Sequence, residues 1–199
     1  MSMLRVLAIS GSERSGSWNR HLLAVAVKAL QAQGVQADPL DLRALGLPLY
    51  DGDFQQAHGV PDSAQRFRDA MQAADALLLV TPEYNGFPPP LVVNSFDWLS
   101  RVGAEGDKPA GLVATAGKPV GLMSASPGLL GGLRSLNYTR QYLSMAFAMM
   151  PVPQQFALAR ANEAFDDQGA LKDAKQQASV ETVVAGLLKV AAAMKNAAS

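Results

Sequence analysis

Ile9-Ser10-Gly11-Ser12-Glu13-Arg14-Ser15-Gly16-Ser17-Trp18-Asn19 is the stretch on which the fold turns. An apolar run, Leu4 to Ile9, precedes it, and a segment with helical apolar spacing, Leu22 to Leu30, follows it. Apolar run, small-residue loop, helix is how a strand feeds a helix through an anion-binding turn. Serine hydroxyls, an Asn amide, an Arg and a helix N-terminus all donate there, and an anion gains from the helix dipole as well. The turn lacks the Lys-Ser/Thr of a Walker A loop after Gly16, and Gly11-Ser12-Glu13 breaks the G-x-G-x-x-G dinucleotide pattern. What remains suits a single terminal phosphate monoester. A Ser-rich loop with Ser17 as an ordinary helix N-cap uses the same groups.

Outward from this turn, strand-like and helix-like segments alternate. Strands are expected at 4–9, 35–42, 76–81, 120–126 and 147–152, the third being the most apolar and so central. Helices are expected at 20–33, 63–74, 91–101, 133–144 and 172–194. The stretch 44–60, rich in Gly, Pro and Asp, reads as a long loop, and 102–117 as a small-residue loop. Alternation implies a parallel sheet covered on both faces, and right-handed crossovers leave few topologies. The expected fold class is a single α/β domain over 1–199: a three-layer sandwich around a five-stranded parallel sheet of order 2-1-3-4-5. Ligands then lie at the carboxyl ends of strands one and three. The loops 10–19, 82–90 and 124–132 meet there.

Composition narrows the chemistry. The chain has 199 residues, 17 basic and 17 acidic, and no cysteine. Balanced charge argues against a nucleic-acid partner. Without cysteine there is no disulfide, iron–sulfur or thiol chemistry. Neither His21 nor His58 has a second ligand at metal spacing, so no metal is expected. No apolar run reaches membrane length, so no membrane partner and a cytoplasmic location are expected.

The second loop, Thr81-Pro82-Glu83-Tyr84-Asn85-Gly86-Phe87-Pro88-Pro89-Pro90, sets an aromatic and an amide beside the first loop and stiffens them with prolines. The third, Ser124 to Gly132, has glycines that permit close backbone approach. Arg134 opposes the dipole of the helix it opens, which points to a pull from an anion or a partner carboxylate.

Taken together, Gly11-Ser12-x-Arg14-x-x-Ser17-x-Asn19, Pro82-Glu83-Tyr84-Asn85, Asn94-x-x-Asp97-Trp98 and Ser126-Pro127-Gly128-x-x-Gly131-Gly132-x-Arg134 resemble the NADPH-dependent FMN reductases of flavodoxin-like fold. That family includes bacterial quinone, chromate and azo-dye reductases, and the likeness runs from about residue 4 to residue 152. The resemblance implies that Ser12, Arg14, Ser17 and Asn19, with Trp18 adjoining, hold the FMN phosphate. It implies that Pro82, Glu83, Tyr84, Asn85 and Gly86 lie along the flavin ring, and that Ser124 and Gly128 close its other side. Phe87 and Pro90 stand where the family has Ser and Gly.

The expected activity is hydride transfer from NADPH or NADH through bound FMN to quinones, free flavin or similar acceptors, including chromate or azo compounds, by a ping-pong mechanism. The flavin carries the chemistry, so no catalytic side chain is needed. Tyr84 and Phe87 are candidates for the acceptor, and Arg101 and Arg134 for the phosphates of the second cofactor. The helix 94–101 carries Phe96, Trp98 and Leu99 in several directions, more than one small core can face. A homodimer or homotetramer is expected on that ground, and the resemblance implies the same. Two other readings use the same residues. One is a non-enzymatic flavin-binding electron carrier. The other is a dinucleotide enzyme with Asp38 or Asp41 on a ribose, which the broken glycine pattern disfavours.

Overall fold

The computed structural model describes residues 3–197. Its elements are β1 (Arg5–Ser10), α1 (Trp18–Ala32), β2 (Gln36–Asp41), α2 (Gly52–His58), α3 (Asp62–Ala73), β3 (Ala76–Val80), α4 (Pro90–Arg101), α5 (Gly111–Thr115), β4 (Pro119–Ala125), α6 (Leu133–Phe147), β5 (Met150–Leu158), α7 (Ala161–Ala164) and α8 (Ala174–Ala197). The five strands are all parallel, in the order β2-β1-β3-β4-β5. This is the expected flavodoxin-like arrangement. The two-residue period of β3 divides it between two cores. Ala76, Leu78 and Val80 face a layer containing α1 and α8, while Leu77 and Leu79 face Phe67, Phe96 and Leu136 from α3, α4 and α6.

The differences from expectation lie in polar or proline-bearing segments. Residues 44–60 are not one long loop. Asp51 accepts from the N–H groups of Asp53 (2.7 Å) and Phe54 (3.2 Å) and so starts α2, which ends at Gly59. The 102–117 stretch contains α5 and is tied down by Arg68. That fully buried guanidinium donates to the carbonyls of Gly103 (3.2 Å) and Pro109 (2.8 Å). The last strand is 150–158, not 147–152, because α6 continues to Phe147. Pro151 and Pro153 are tolerated in β5 because it is an edge strand. Arg140 covers its carbonyls, donating to Pro151 (3.2 Å) and Val152 (2.8 Å).

α8 starts two residues later than expected, at Ala174, and ends three later, at Ala197. Its 24 residues hold an 18-residue window of mean hydropathy 1.2, enough to span a membrane by length and composition alone. Its apolar stripe, Val180, Val183, Val184, Leu187 and Ala191, is instead buried against the sheet and α1.

α4 leaves no large apolar side chain of the set Phe96, Trp98 and Leu99 for a second subunit to cover. All three are fully buried within one chain. The folded 44–60 segment supplies the second surface, because Trp98 Nε1 donates to the Pro48 carbonyl at 2.7 Å and its ring meets Tyr50 and Phe54 edge-on. Asn94 completes the clasp, donating to Pro48 O at 2.9 Å and accepting from Tyr50 N–H at 2.7 Å.

Asp97 takes a hydrogen bond from the Tyr142 hydroxyl at 3.3 Å across α4 and α6. Burial raises its pKa above 3.8, outweighing the opposing Tyr142 hydrogen bond and Arg101. The folded state then holds this proton more tightly than the unfolded chain, so this group's contribution falls as pH rises through that window. Asp97→Asn keeps an acceptor for Tyr142 and is expected to stabilise the protein at pH 7. Thermal melts across pH should show that gain vanishing below about pH 4.

Candidate functional site

The three loops converge at the carboxyl ends of β1, β3 and β4. Ser12, Arg14, Ser17, Trp18, Asn19, Pro82, Glu83, Tyr84, Ala125, Ser126 and Pro127 line one cleft. Its volume, about 130 Å³, is below the ~300 Å³ at which small-molecule sites begin. Such a cleft takes in one end of an extended ligand and leaves the rest along the rim.

The first loop is pinned from beneath. Gly11 N–H donates to Val80 O at 2.9 Å, and a Cβ at Gly11 would lie 2.6 Å from both Thr81 Oγ1 and Val92 Cγ2. Only glycine lets the loop seat on β3 and α4. Ser17 caps α1, accepting from Asn19 N–H at 3.2 Å. Two arginines that the sequence reading passed over hold the loop's carbonyls. Arg20 donates to Ser12 O (3.2 Å) and pairs with Asp41 (3.0 Å), and Arg43 donates to Glu13 O (2.7 Å). In a trans peptide the N–H points opposite to its carbonyl. Fixing those two oxygens therefore turns the N–H groups of Glu13 and Arg14 away from the arginines. Among the described residues, the N–H groups from Glu13 to Trp18 donate to no protein acceptor. Arg20, a cation in the first turn of α1, opposes the helix dipole. Arg134 shows the same mismatch, and that signal was available to find Arg20.

Arg14 stands at the rim with its guanidinium 5.5 Å from the Trp18 ring centroid. Asn19 differs from expectation. Its side chain is consumed by one backbone residue, donating to Ala125 O at 2.9 Å and accepting from Ala125 N–H at 2.9 Å. It joins the first loop to the third and does not offer a free amide to an anion.

In the second loop, the Glu83 carboxylate turns to α6. It accepts from Arg134 Nε (2.9 Å), from a second Arg134 nitrogen, and from Ser135 N–H (3.2 Å). Gly132, at the N-cap, has no side chain, so a carboxylate from another loop fills that role. This is the partner carboxylate that Arg134 called for, and it leaves the backbone and stem of Glu83 to the cleft wall. Tyr84 and Phe87 bond to each other's backbone (2.9 and 3.0 Å) around Asn85 (φ 53°) and Gly86 (φ 90°). This is a two-residue hairpin of type I′, and an Asn-Gly pair is its strongest sequence signal. Asn85 and Gly86 thus serve the turn and face a neighbouring groove with Phe87 and Arg134.

Ser124 and Gly128, the two ring contacts expected in the third loop, are bonded within that loop. Ser124 is fully buried, and its hydroxyl donates to Gly131 O at 2.7 Å. Gly128 N–H is held by Ser126 Oγ at 3.2 Å. The wall of the cleft here is Ala125, Ser126 and Pro127 instead. Arg101 lies on the Tyr50 ring, 4.8 Å from its centroid, in the last turn of α4. That is about 16 Å of helix from the second loop. Asp38 and Asp41 are engaged by Arg5 and Arg20, which leaves neither for a ribose. His21 packs on Phe165 and His58 on Phe54.

The NADPH-dependent FMN reductase family model matches residues 4–163. The chain belongs to this family. An NAD(P)H-dependent FMN reductase of Pseudomonas aeruginosa is 35% identical over 178 residues, covering 89% of this chain and 90% of the relative. A quinone reductase of Pseudomonas putida is 36% identical, covering 84% of each chain. Among solved structures, the flavoenzyme NAD(P)H:(acceptor) oxidoreductase FerB of Paracoccus denitrificans superposes with a TM-score of 0.74 at 26% identity, over 94% of this chain and 98% of that one.

Membership makes the chain an oxidoreductase that works with FMN and NAD(P)H. The first loop fits the phosphate end of FMN, with unpaired N–H groups, the Ser12 and Ser17 hydroxyls and one free guanidinium around a narrow cleft. When bound, FMN supplies the electron-transfer chemistry, and the protein supplies orientation and electrostatics. Arg14→Ala removes the one fixed cation on this rim. It is expected to weaken FMN about ten- to a hundredfold, from loss of roughly 1.5–3 kcal/mol, while riboflavin affinity stays nearly constant. Paired titrations of the apoprotein check this, and equal losses for both ligands refute the phosphate assignment.

Proposed function

We infer that this protein takes hydride from NAD(P)H onto bound FMN and passes the electrons to quinones or free flavin, with chromate and azo compounds within reach of the same site. The observation that carries this reading is the single cleft, which pairs a phosphate cradle with a stacking rim. The phosphate residues sit at one end, and Pro82 and Tyr84 form the rim on which a flat ring lies. Tyr84 is 43% exposed, so it offers an aromatic face to solvent and to ligand alike. Among the described residues no paired acid and base lines the cleft, so stacking governs acceptor choice, and stacking distinguishes poorly between flat acceptors.

Walls on three sides leave one face of the ring open. Donor and acceptor then use that face in turn. Rates measured against NADPH at several fixed quinone concentrations are expected to give parallel reciprocal plots, and intersecting lines overturn the one-face arrangement. A single flavin-binding domain, a cytoplasmic location and self-association into a dimer or tetramer belong to this reading through the family. Light scattering of the FMN-loaded protein should give at least twice the chain mass.

A further inference from the structure

A second, wider hollow adjoins the cleft. It lies between the Tyr84–Phe87 hairpin and the first two turns of α6 and has a volume of about 480 Å³. Two aromatic rings form its platform. Phe87 and Tyr138 stack face to face, centroids 4.2 Å apart and planes 12° apart, yet they remain 56% and 45% exposed. Each ring covers one face of the other, and the outer face stays open to a further flat ring. Asn137 and Gln141, one turn apart on α6, line the same hollow. Among the described residues neither amide bonds to another protein group. A carboxamide pairs bidentately with the edge of a purine through its donor and acceptor together. Arg134 stands where hollow and cleft meet, since it lines the hollow and holds Glu83, which lines the cleft. From Arg134 to Gln141 the helix advances about 10 Å.

We propose that this hollow binds the adenosine end of the nicotinamide dinucleotide, the adenine on the Phe87–Tyr138 platform with its edge on Asn137 and Gln141, and the pyrophosphate passing Arg134. The assignment rests on NAD(P)H being the electron donor. The order of groups from the cleft outward is aromatic rim, guanidinium, aromatic platform with amides. That matches nicotinamide, pyrophosphate and adenine in sequence. A quinone has no purine edge and does not need a site beyond the guanidinium. Phe87, which by the resemblance stands where the family has Ser, is half of the platform. The lining carries one cation, Arg134, already paired with Glu83. A 2′-phosphate finds no dedicated partner there, and NADH and NADPH are expected to give KM values within a few-fold of each other.

The test uses FMN-loaded enzyme and two donors: NADPH, and reduced nicotinamide mononucleotide, which lacks the adenosine half. Tyr138 and Gln141 are exposed on α6, so Tyr138→Ser and Gln141→Ala should fold, and flavin content confirms that they do. Stacking on an aromatic ring corresponds to at least about five- to tenfold in affinity. The KM for NADPH is therefore expected to rise about tenfold in Tyr138→Ser and several-fold in Gln141→Ala. The KM for the mononucleotide should be the same in variants and wild type. An unchanged NADPH KM overturns the proposal, as does an equal rise for both donors or a strong preference for NADPH over NADH. A change of oligomeric state without a change in NADPH KM does so as well. If neither donor reduces the wild-type flavin, the donor reading itself fails, a result distinct from all of these.

Discussion

Asn19→Leu will unseat both sides of the flavin cleft at once. The side chain is 3% exposed and bonds both backbone groups of Ala125 at 2.9 Å. Leucine has a similar bulk and can make neither bond. Each buried group left unpaired costs about 1–3 kcal/mol. A stability loss of roughly 2–6 kcal/mol follows, at about 2–4 °C of melting temperature per kcal/mol for a chain of this size. The binding signature is more informative than the size of the loss. Asn19 ties the start of α1 to the end of β4, so its removal loosens the phosphate loop and the 125–127 wall together. FMN and riboflavin should weaken by the same factor, in contrast to the FMN-selective loss expected of Arg14→Ala. Titration of both ligands into a folded Asn19→Leu apoprotein decides the matter. A loss confined to FMN would return Asn19 to the role of phosphate ligand.

Trp98→Ala is the second large effect. The indole is fully buried among Ala64, Val102 and the 47–60 segment and donates to Pro48 O at 2.7 Å. Large aromatic truncations in cores cost about 3–5 kcal/mol. Pro48 O keeps its bond from Asn94, so the loss is mainly cavity and packing. Urea unfolding should show the full loss, and light scattering should show an unchanged mass. A fall in mass with little change in stability would place Trp98 between subunits instead.

These two residues mark the border of what the sequence could yield. Asn19 and Trp98 both stand out in the sequence, and each invites a partner outside the chain. The residue types were legible, but their partners are about 100 and 50 positions away, on Ala125 and Pro48. No local pattern reports such pairing. The sheet order was legible because apolar runs alternate cleanly with helical spacing, as in Ala76–Val80. α2 was missed because Gly, Pro and Asp crowd its flanks, although Asp51 and Gly59 are its caps. The strand end of β5 was missed because its two prolines are permitted only at an edge. Of the expected site residues, Ser12, Arg14, Ser17, Pro82 and Tyr84 line one cleft. Arg20 and Arg43 act on backbone carbonyls, an acceptor present at every position, so their targets leave no trace in the sequence.

The central claim is that the bound flavin exchanges electrons directly with NAD(P)H, which separates an enzyme from a passive flavin carrier. Anaerobic stopped-flow absorbance of the FMN-loaded protein tests it in one mixing experiment. NADPH in modest excess should bleach the flavin band within the time of a single turnover, and added quinone should restore the band. A flavin that dithionite bleaches but NADPH leaves oxidised would contradict the account.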